Sequence, residues 1–457
     1  MLCRNLVAVS SGIMDEDNIE LLTCQHWNVA ELDFATDEDV RGAVRRLAAI
    51  FAVSPDEYQL RSQAIGFRHE PHSLLNDPAL DGLVKPCTQF CHDWMHAICV
   101  QGSFNTCVWK LFEDLRARGV SEIWETMATY VQGWEWPMAV LSSNQHLVDC
   151  FVGKRKKSSR KAQTFKATAS DCLSLYAVLA MFVSAVLLRN GARSVCHQGC
   201  MAFLALADLL DMLHAVPLGL VSPARLADAV NEFLKRCVAA GWSKWMHSKF
   251  HWLIHLPRHL ERFGGLLTCF VHERKHRMVK RYADNIRNTR AYEKSIMGEV
   301  ACHHLAQLRA GQCLQFGIAL VGPKPVRPGL FELLQSTFAP HRLDKDLCSY
   351  SQQARLDPAG ICCRKDVVLV RGAQGGNALI AGQVWLHASV DGIVVTLVNL
   401  FKPLAGDGEQ RWDASQQRPE FVDTKDVLAV TIHTPVEDRI VRVIVPWRFR
   451  GWAAAER

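Results

Sequence analysis

From residue 103 to 260 apolar residues recur at i, i+3 and i+4, and that spacing lasts too long for anything but a block of packed helices. It predicts helices over 103–117, 121–133, 168–190, 196–215, 222–240 and 242–260. Pro217 and Pro223 fall between them, and Gly119, Gly191 and Gly241 stand at their expected ends. After Leu308 the period changes. Pro323, Pro325, Pro328 and Pro340, with Gly311 and Gly322, make 309–345 read as a linker. Short β-branched runs follow at 366–372, 378–390, 392–401, 421–434 and 440–449. Five strands at that spacing predict a small barrel of the SH3, Tudor or BAH kind, in which Trp385, Phe401 and Trp447 read as core residues. The expected fold class is mostly α with a small β domain.

Upstream, 36–64 reads as two amphipathic helices. The first is capped by Thr36, with Asp37, Glu38 and Asp39 in its first turn, and Ser54-Pro55 breaks it from the second. The 457 residues, 49% apolar and 21% charged, describe a globular chain of two or three domains. A net charge of +6 is mild at this length, so any nucleic-acid footprint must be local. Two runs concentrate the charge: KRKKSSRK at 154–161, read as a solvated loop, and the stretch 272–281.

The seventeen cysteines show no repeating framework, and the amino terminus lacks an apolar secretory core, so the thiols read as reduced and the chain as intracellular or nuclear, not secreted. Residues 172–188 are uncharged and barely long enough to span a bilayer. The next apolar segment carries Asp208 and Asp211, and both read as core helices of a protein with no membrane partner.

Three stretches carry possible chemistry. Asp93 and His96 stand three residues apart, close enough to share a helical face, a spacing that most often marks a structural hydrogen-bonding pair. Cys87, Cys91, His92 and His96 form a Cys-x3-Cys-His-x3-His cluster whose spacing falls outside the usual zinc knuckle, so zinc is not expected there. In the third, Glu273 lies among His272, Arg274, Lys275, His276, Arg277, Lys280 and Arg281. That composition suits either a metal-binding acid beside phosphate clamps or a solvated basic helix in which Glu273 pairs with Arg277.

Together these stretches resemble the cut-and-paste DNA transposases of the DDE class, in the broad group of CACTA-like and hAT-like elements. Asp93-Trp-Met-His96, followed by Gly102, resembles that group's Asp-x-x-His motif. Lys249-Phe-His-Trp-Leu-Ile-His255-Leu-Pro257, then Arg262-Phe263-Gly264, is similar to its Lys-x-His segment, and Glu273-Arg-Lys-His276 to the Glu-x-x-His that carries its third catalytic acid. The resemblance spans roughly residues 70–300 and implies an RNase H-like core interrupted by an all-helical insertion. It also implies Mg²⁺ held by Glu273 with two further Asp, strand cleavage and transfer on DNA, and Asp93 and His96 bracing the site. Arg274, Lys275, His276, Arg277, Lys280 and Arg281, with Lys154, Arg155, Lys156 and Lys157, would contact DNA phosphates.

The expected division is a core remnant over 1–102, the insertion over 103–248, a basic helical segment over 249–308, a linker over 309–360 and the barrel over 361–452. Two catalytic Asp on strands should precede Asp93. Asp15, Asp17, Asp33, Asp37 and Asp39 instead fit caps or turns, in a stretch that reads as helix and loop. The expectation is an amino-terminally truncated transposase relative, inactive alone. The alternative is a non-catalytic DNA- or chromatin-binding protein that uses the basic block and the barrel, with self-association open.

Overall fold

The computed structural model describes residues 6–7, 22–23, 26–65, 68–74, 77–80, 82–141, 143–189, 196–269, 278–286, 290–309, 317–339, 341–357, 360–372, 378–404, 411–450 and 453–454. The chain forms two compact units. One comprises Met1–Trp124 with Val152–Phe270, the other Glu125–Phe151 with Val271–Arg457. The segment 103–248 that reads as helical throughout is therefore shared between them.

The described residues of the first unit are mostly helical, with a parallel pair, β1 (Leu6–Val7) and β2 (Leu22–Thr23), in a stretch whose sequence reads as helix and loop. Thr36 caps α1 (Asp37–Phe51): its hydroxyl accepts from the Asp39 N–H, and the Asp39 carboxylate accepts from the Thr36 N–H at 2.7 Å. Such a reciprocal cap is worth about 1 kcal/mol. Helix α2 (Pro55–Ile65) follows, then the short α3 (Trp94–Ile98) and α4 (Ser103–Ala117). Gly102 joins the last two, and a Cβ there would lie 2.2 Å from the Ala97 carbonyl oxygen, so only glycine fits the corner. Trp124, at the start of α5 (Ile123–Gln132), packs edge-on against Phe112, 5.0 Å between centroids.

KRKKSSRK is not a loop. It forms α6 (Gly153–Ala162), with Arg160 and Lys161 in the last turn, where the helix dipole favours cations. Ser159 is buried and accepts from the Lys166 N–H, and Arg155 pairs with buried Asp171 at 3.1 Å. Helices α7 (Ala169–Phe182), α8 (His197–Ala215) and α9 (Pro223–Ala239) complete the core. Extended by their terminal turns, Ala169–Leu187 and His197–Leu218 are long and apolar enough to cross a membrane, with 44% and 50% of those windows buried inside the protein. The single helix expected over 242–260 is two, α10 (Ser248–Ile254) and α11 (Leu256–Phe263). Pro257 has no N–H to continue the first and sits in the opening turn of the second.

In the second unit, α12 (Tyr292–Arg309) precedes two sheets: a three-stranded one of β3 (Ala319–Leu320), β6 (Gln353–Leu356) and β7 (Gly360–Cys363), and one of ten strands. The larger runs in the order β12 (Val427–Thr431), β8 (Val367–Arg371), β9 (Ala378–Val390), β10 (Ile393–Pro403), β11 (Arg411–Asp423), β14 (Ile440–Val443) and β13 (His433–Glu437), with β5 (Ser349–Ser351) and β15 (Ala453–Ala454) pairing on β9 and β4 (Lys324–Pro325) on β5. The long members are β9, β10 and β11, with β10 antiparallel to both its neighbours. No pairing among the described residues joins β12 (Val427–Thr431) to β13 (His433–Glu437), so the five-stranded closed barrel gives way to a larger sheet with open ends.

Both faces of the sheet are covered. On β8 (Val367–Arg371), Val368 and Val370 join one buried cluster and Val367 and Leu369 another. That accounts for an unbroken apolar run where a one-sided strand would alternate. The stretch 309–345 is more than a linker, because α13 (Pro328–Thr337) buries Leu334 with Ala388, Val390 and Val395. Within this unit the segment 133–138 is tied to the sheet. Glu135 forms a bridge with His433, and the Met138 N–H donates to Asp366 at 2.8 Å.

Phe401 is core, as its sequence suggests, but Trp385 is half exposed. The β9–β10 register pairs Leu386 with Leu397 and Val384 with Val398, which leaves Trp385 as the extra residue of a bulge.

Candidate functional site

Two of the three stretches singled out from the sequence meet in the helical unit. Asp93 caps α3: one carboxylate oxygen accepts from the Met95 N–H at 2.9 Å. The other oxygen is hydrogen-bonded to His96 Nδ1 and also accepts from the Cys269 N–H at 3.2 Å. Three residues separate Asp93 and His96, so the first turn of the helix brings imidazole and carboxylate together. The Asp93 side chain is 13% exposed and that of His96 35%.

The Lys249–Pro257 stretch grips the same segment. Lys249 Nζ donates to the Val100 carbonyl, and burial pulls its pKa down. His247, the cap of α10, lies 3.4 Å from the Thr106 hydroxyl. Trp252 stacks on His92 with centroids 5.2 Å apart and 12° between planes, and the His92 N–H donates to His259 Nδ1 at 3.3 Å. Gly264 ends α11 at φ 66°, a left-handed turn that gives the Phe-Gly pair its physical reason.

His251 on α10, His255 at the junction and His259 on α11 follow one another at four-residue intervals, with ring centroids 4.8 Å and 6.3 Å apart. The Nε2 atoms of His251 and His255 are 3.0 Å apart, so one ring donates to the other. Burial holds the group neutral. Desolvation lowers the pKa of His251 and His92 to about 3 and that of His259 to about 4, and it depresses His255 well below the ordinary value; neighbouring imidazoles reinforce the effect on His92 and His255. Two ring nitrogens, His92 Nε2 and His251 Nδ1, are buried with no hydrogen-bond partner among the described residues. Leaving one such group unpaired costs roughly 1–3 kcal/mol, so this packing is maintained against a local penalty.

The Cys87, Cys91, His92 and His96 cluster does not assemble. The Cys87 backbone N–H is taken by Asp37 at 2.7 Å, His92 turns to Trp252 and His259, and His96 turns to Asp93. Among the described residues the one group of three or more potential ligands is Asp93, His96 and Cys269, whose donor atoms all lie within 4.8 Å of one another. Sequence reasoning missed Cys269, because a single cysteine 176 residues beyond Asp93 has no partner at motif spacing. The described cysteines are all thiols.

Glu273, Arg274, Lys275, His276 and Arg277 lie outside the described residues. Lys280 and Arg281 are exposed on a short helix over 278–283 in the second unit. In the helical unit, Lys154 and Lys157 are exposed on α6, and Arg155 and Lys156 are half-buried. No family model, curated protein or solved structure matches this chain.

Proposed function

We propose that this chain is a transposon-derived DNA-binding protein related to the DDE transposases, retaining the bracing part of their site without strand transfer. The observation that supports this reading is the convergence of two motif stretches more than 150 residues apart. Asp93 and His96 sit beside the Lys249–Cys269 stretch through the Lys249–Val100, His259–His92 and Cys269–Asp93 hydrogen bonds. Glu273, which the resemblance makes the metal-binding acid, follows Cys269 by four residues.

The described residues do not make a magnesium site. Asp93 brings one carboxylate, already engaged with two backbone N–H groups and an imidazole, and its neighbours offer nitrogen and sulfur where Mg²⁺ takes oxygen. DNA would be held at its phosphates by Arg274, Lys275, His276, Arg277, Lys280 and Arg281, with Lys154–Lys157 as a second patch, so binding would be insensitive to base sequence and steeply dependent on salt. The sheet unit, as an SH3-, Tudor- or BAH-like module, would dock chromatin or a second copy in the nucleus.

Fluorescence anisotropy of a labelled duplex titrated with the full chain at several salt concentrations tests the reading. Binding should weaken linearly in log salt, and the triple change Arg274→Ala, Lys275→Ala, Arg277→Ala should flatten that slope by about 0.9 for each phosphate no longer neutralised. Absence of binding at low salt, or an unchanged slope in the triple variant, ends the proposal. Glu273→Gln should bind as the parent does. Should the parent nick supercoiled DNA with Mg²⁺ while Glu273→Gln does not, the non-catalytic part of the reading falls.

A further inference from the structure

We propose that Asp93, His96 and Cys269 form a binding site for a thiophilic divalent transition metal of the zinc class, which clips the Cys269 turn to the start of α3. This site stands apart from the magnesium chemistry of the DDE resemblance, and it holds whether or not the chain binds DNA.

The donor set argues for the ion. A carboxylate, an imidazole and a thiolate are the three side-chain donors zinc takes, whereas magnesium and calcium take oxygen alone. The three donor atoms lie within 4.8 Å of one another. Bonds of about 2.0–2.3 Å in a tetrahedron place donors roughly 3.3–3.7 Å apart, so a side-chain adjustment of about an ångström closes the set around an ion. Three protein ligands leave one position for water or another ligand, as in open zinc sites.

The surroundings hold the ligands in place. The Asp93 carboxylate is fixed by the Met95 N–H, and the Cys269 N–H reaches the same carboxylate at 3.2 Å, so the thiol-bearing turn already stands against the helix cap. The Met95 N–H, the Cys269 N–H and His96 Nδ1 take up three of the carboxylate's four lone-pair directions, so the ion takes the fourth and His96 ligates through Nε2, or through Nδ1 once the Asp93–His96 hydrogen bond opens. His96 sits half-buried at the protein surface, within reach of solvent. On binding, Cys269 gives its thiol proton to solvent and the imidazole ligates in its neutral form, so affinity rises with pH. The clip closes a long loop, because 176 residues separate Asp93 from Cys269, and joining distant segments is where a metal restrains the unfolded chain most.

The test uses the purified full chain titrated with Co²⁺ as a spectroscopic stand-in for Zn²⁺. One equivalent should bind with thiolate-to-cobalt charge-transfer absorption, and emission spectroscopy should find one zinc per chain after zinc loading. Cys269→Ser should abolish the charge-transfer band, and His96→Ala should lower cobalt affinity by at least about tenfold. Zinc should raise the melting temperature of the parent and leave that of Cys269→Ser where it is.

A parallel variant with Cys87→Ser, Cys91→Ser and the exposed Cys302→Ser should keep the band, since none of those thiols belongs to the set. Circular dichroism of every variant separates a missing ligand from a missing fold. A band that survives Cys269→Ser, a band that disappears in the triple-serine variant, or a parent chain that takes up no cobalt at micromolar concentrations overturns the site.

Discussion

The two units bury histidine in different ways. In the sheet, His387 Nδ1 meets the Thr396 hydroxyl at 2.8 Å, and that hydroxyl meets Thr424 at 2.8 Å. His387 and Thr396 are cross-strand partners in the β9–β10 register, so once the apolar pattern sets the register the hydrogen bond follows. In the helical unit no register brings His92 to Trp252 and His259. Those contacts need a closed loop of more than 150 residues, and the imidazoles there meet one another more than they meet hydroxyls. Polar burial in the sheet thus follows from strand register, whereas the helical unit brings its imidazoles together across a long stretch of chain. A cluster of that kind is the better candidate for function.

Substitutions at the closest backbone approaches should separate the two units most strongly. At Gly102 a Cβ would sit 2.2 Å from the Ala97 oxygen, and at Gly382 it would sit 2.5 Å from Val398 and 2.6 Å from the Asn399 oxygen. Gly102→Ala and Gly382→Ala should each cost roughly 3 kcal/mol or more, since backbone oxygens cannot move aside as a flexible side chain can. In urea unfolding followed by circular dichroism, each change should shift a different transition. A single transition lowered equally by both would show that the units unfold as one and that the contrast between them has no thermodynamic expression.

Acid should affect the helical unit first. Its His92, His247, His251 and His259 have pKa values lowered to about 3–4, chiefly by burial, with Arg258 and Arg262 also acting on His259 and Lys249 on His247; burial and the neighbouring imidazoles also depress His255 well below its ordinary value. Among the described residues the sheet has two such groups, His387 at about 4 and His433. Between those values and the ordinary 6.5 the unfolded chain binds protons that the folded chain refuses, so stability falls as pH drops through that window and is flat above it. Each histidine contributes at most about 1.4 kcal/mol per pH unit. Melting curves from pH 7 to pH 4.5 should show the helical transition falling more steeply, and His251→Leu should reduce its slope by about one histidine's share. Equal slopes in the two units would remove the distinction between the two kinds of burial.

How far the sequence discloses this molecule follows the same contrast. Helical period and punctuation mark α1, α2, α4, α8 and α9 nearly to the residue, and β-branched runs mark β8, β9 and β10, because apolar spacing is local information. Helix α6 is hidden because a run of like charges reads as loop. What makes it a helix, the Arg155–Asp171 pair and the burial of Ser159, lies partly outside the run. The tie of 133–138 to His433 and Asp366 is hidden because bridges between distant segments leave no spacing to read. Within the candidate site, Asp93 and His96 are legible as a pair three apart, and the Lys249–Pro257 stretch as a motif. Their union is not, and Cys269 enters it with no local signal.

The smallest expected effect bears on which unit holds DNA. Lys154 and Lys157 are exposed on α6, so Lys154→Ala with Lys157→Ala should change stability by no more than about 0.5 kcal/mol. Arg155→Ala should cost more, roughly 1–3 kcal/mol, because it removes a charged hydrogen bond from the nearly buried Asp171 carboxylate. Weaker DNA affinity in the double lysine variant therefore reports phosphate binding, whereas the same weakening in Arg155→Ala mixes binding with folding. Lys280→Ala with Arg281→Ala makes the matching change in the other unit, on the exposed 278–283 helix. Removing each lysine or arginine that neutralises a phosphate should reduce the salt slope by about 0.9. A slope that falls only with the α6 pair assigns the described part of the footprint to the helical unit. A slope that falls only with the 278–283 pair moves it to the sheet unit.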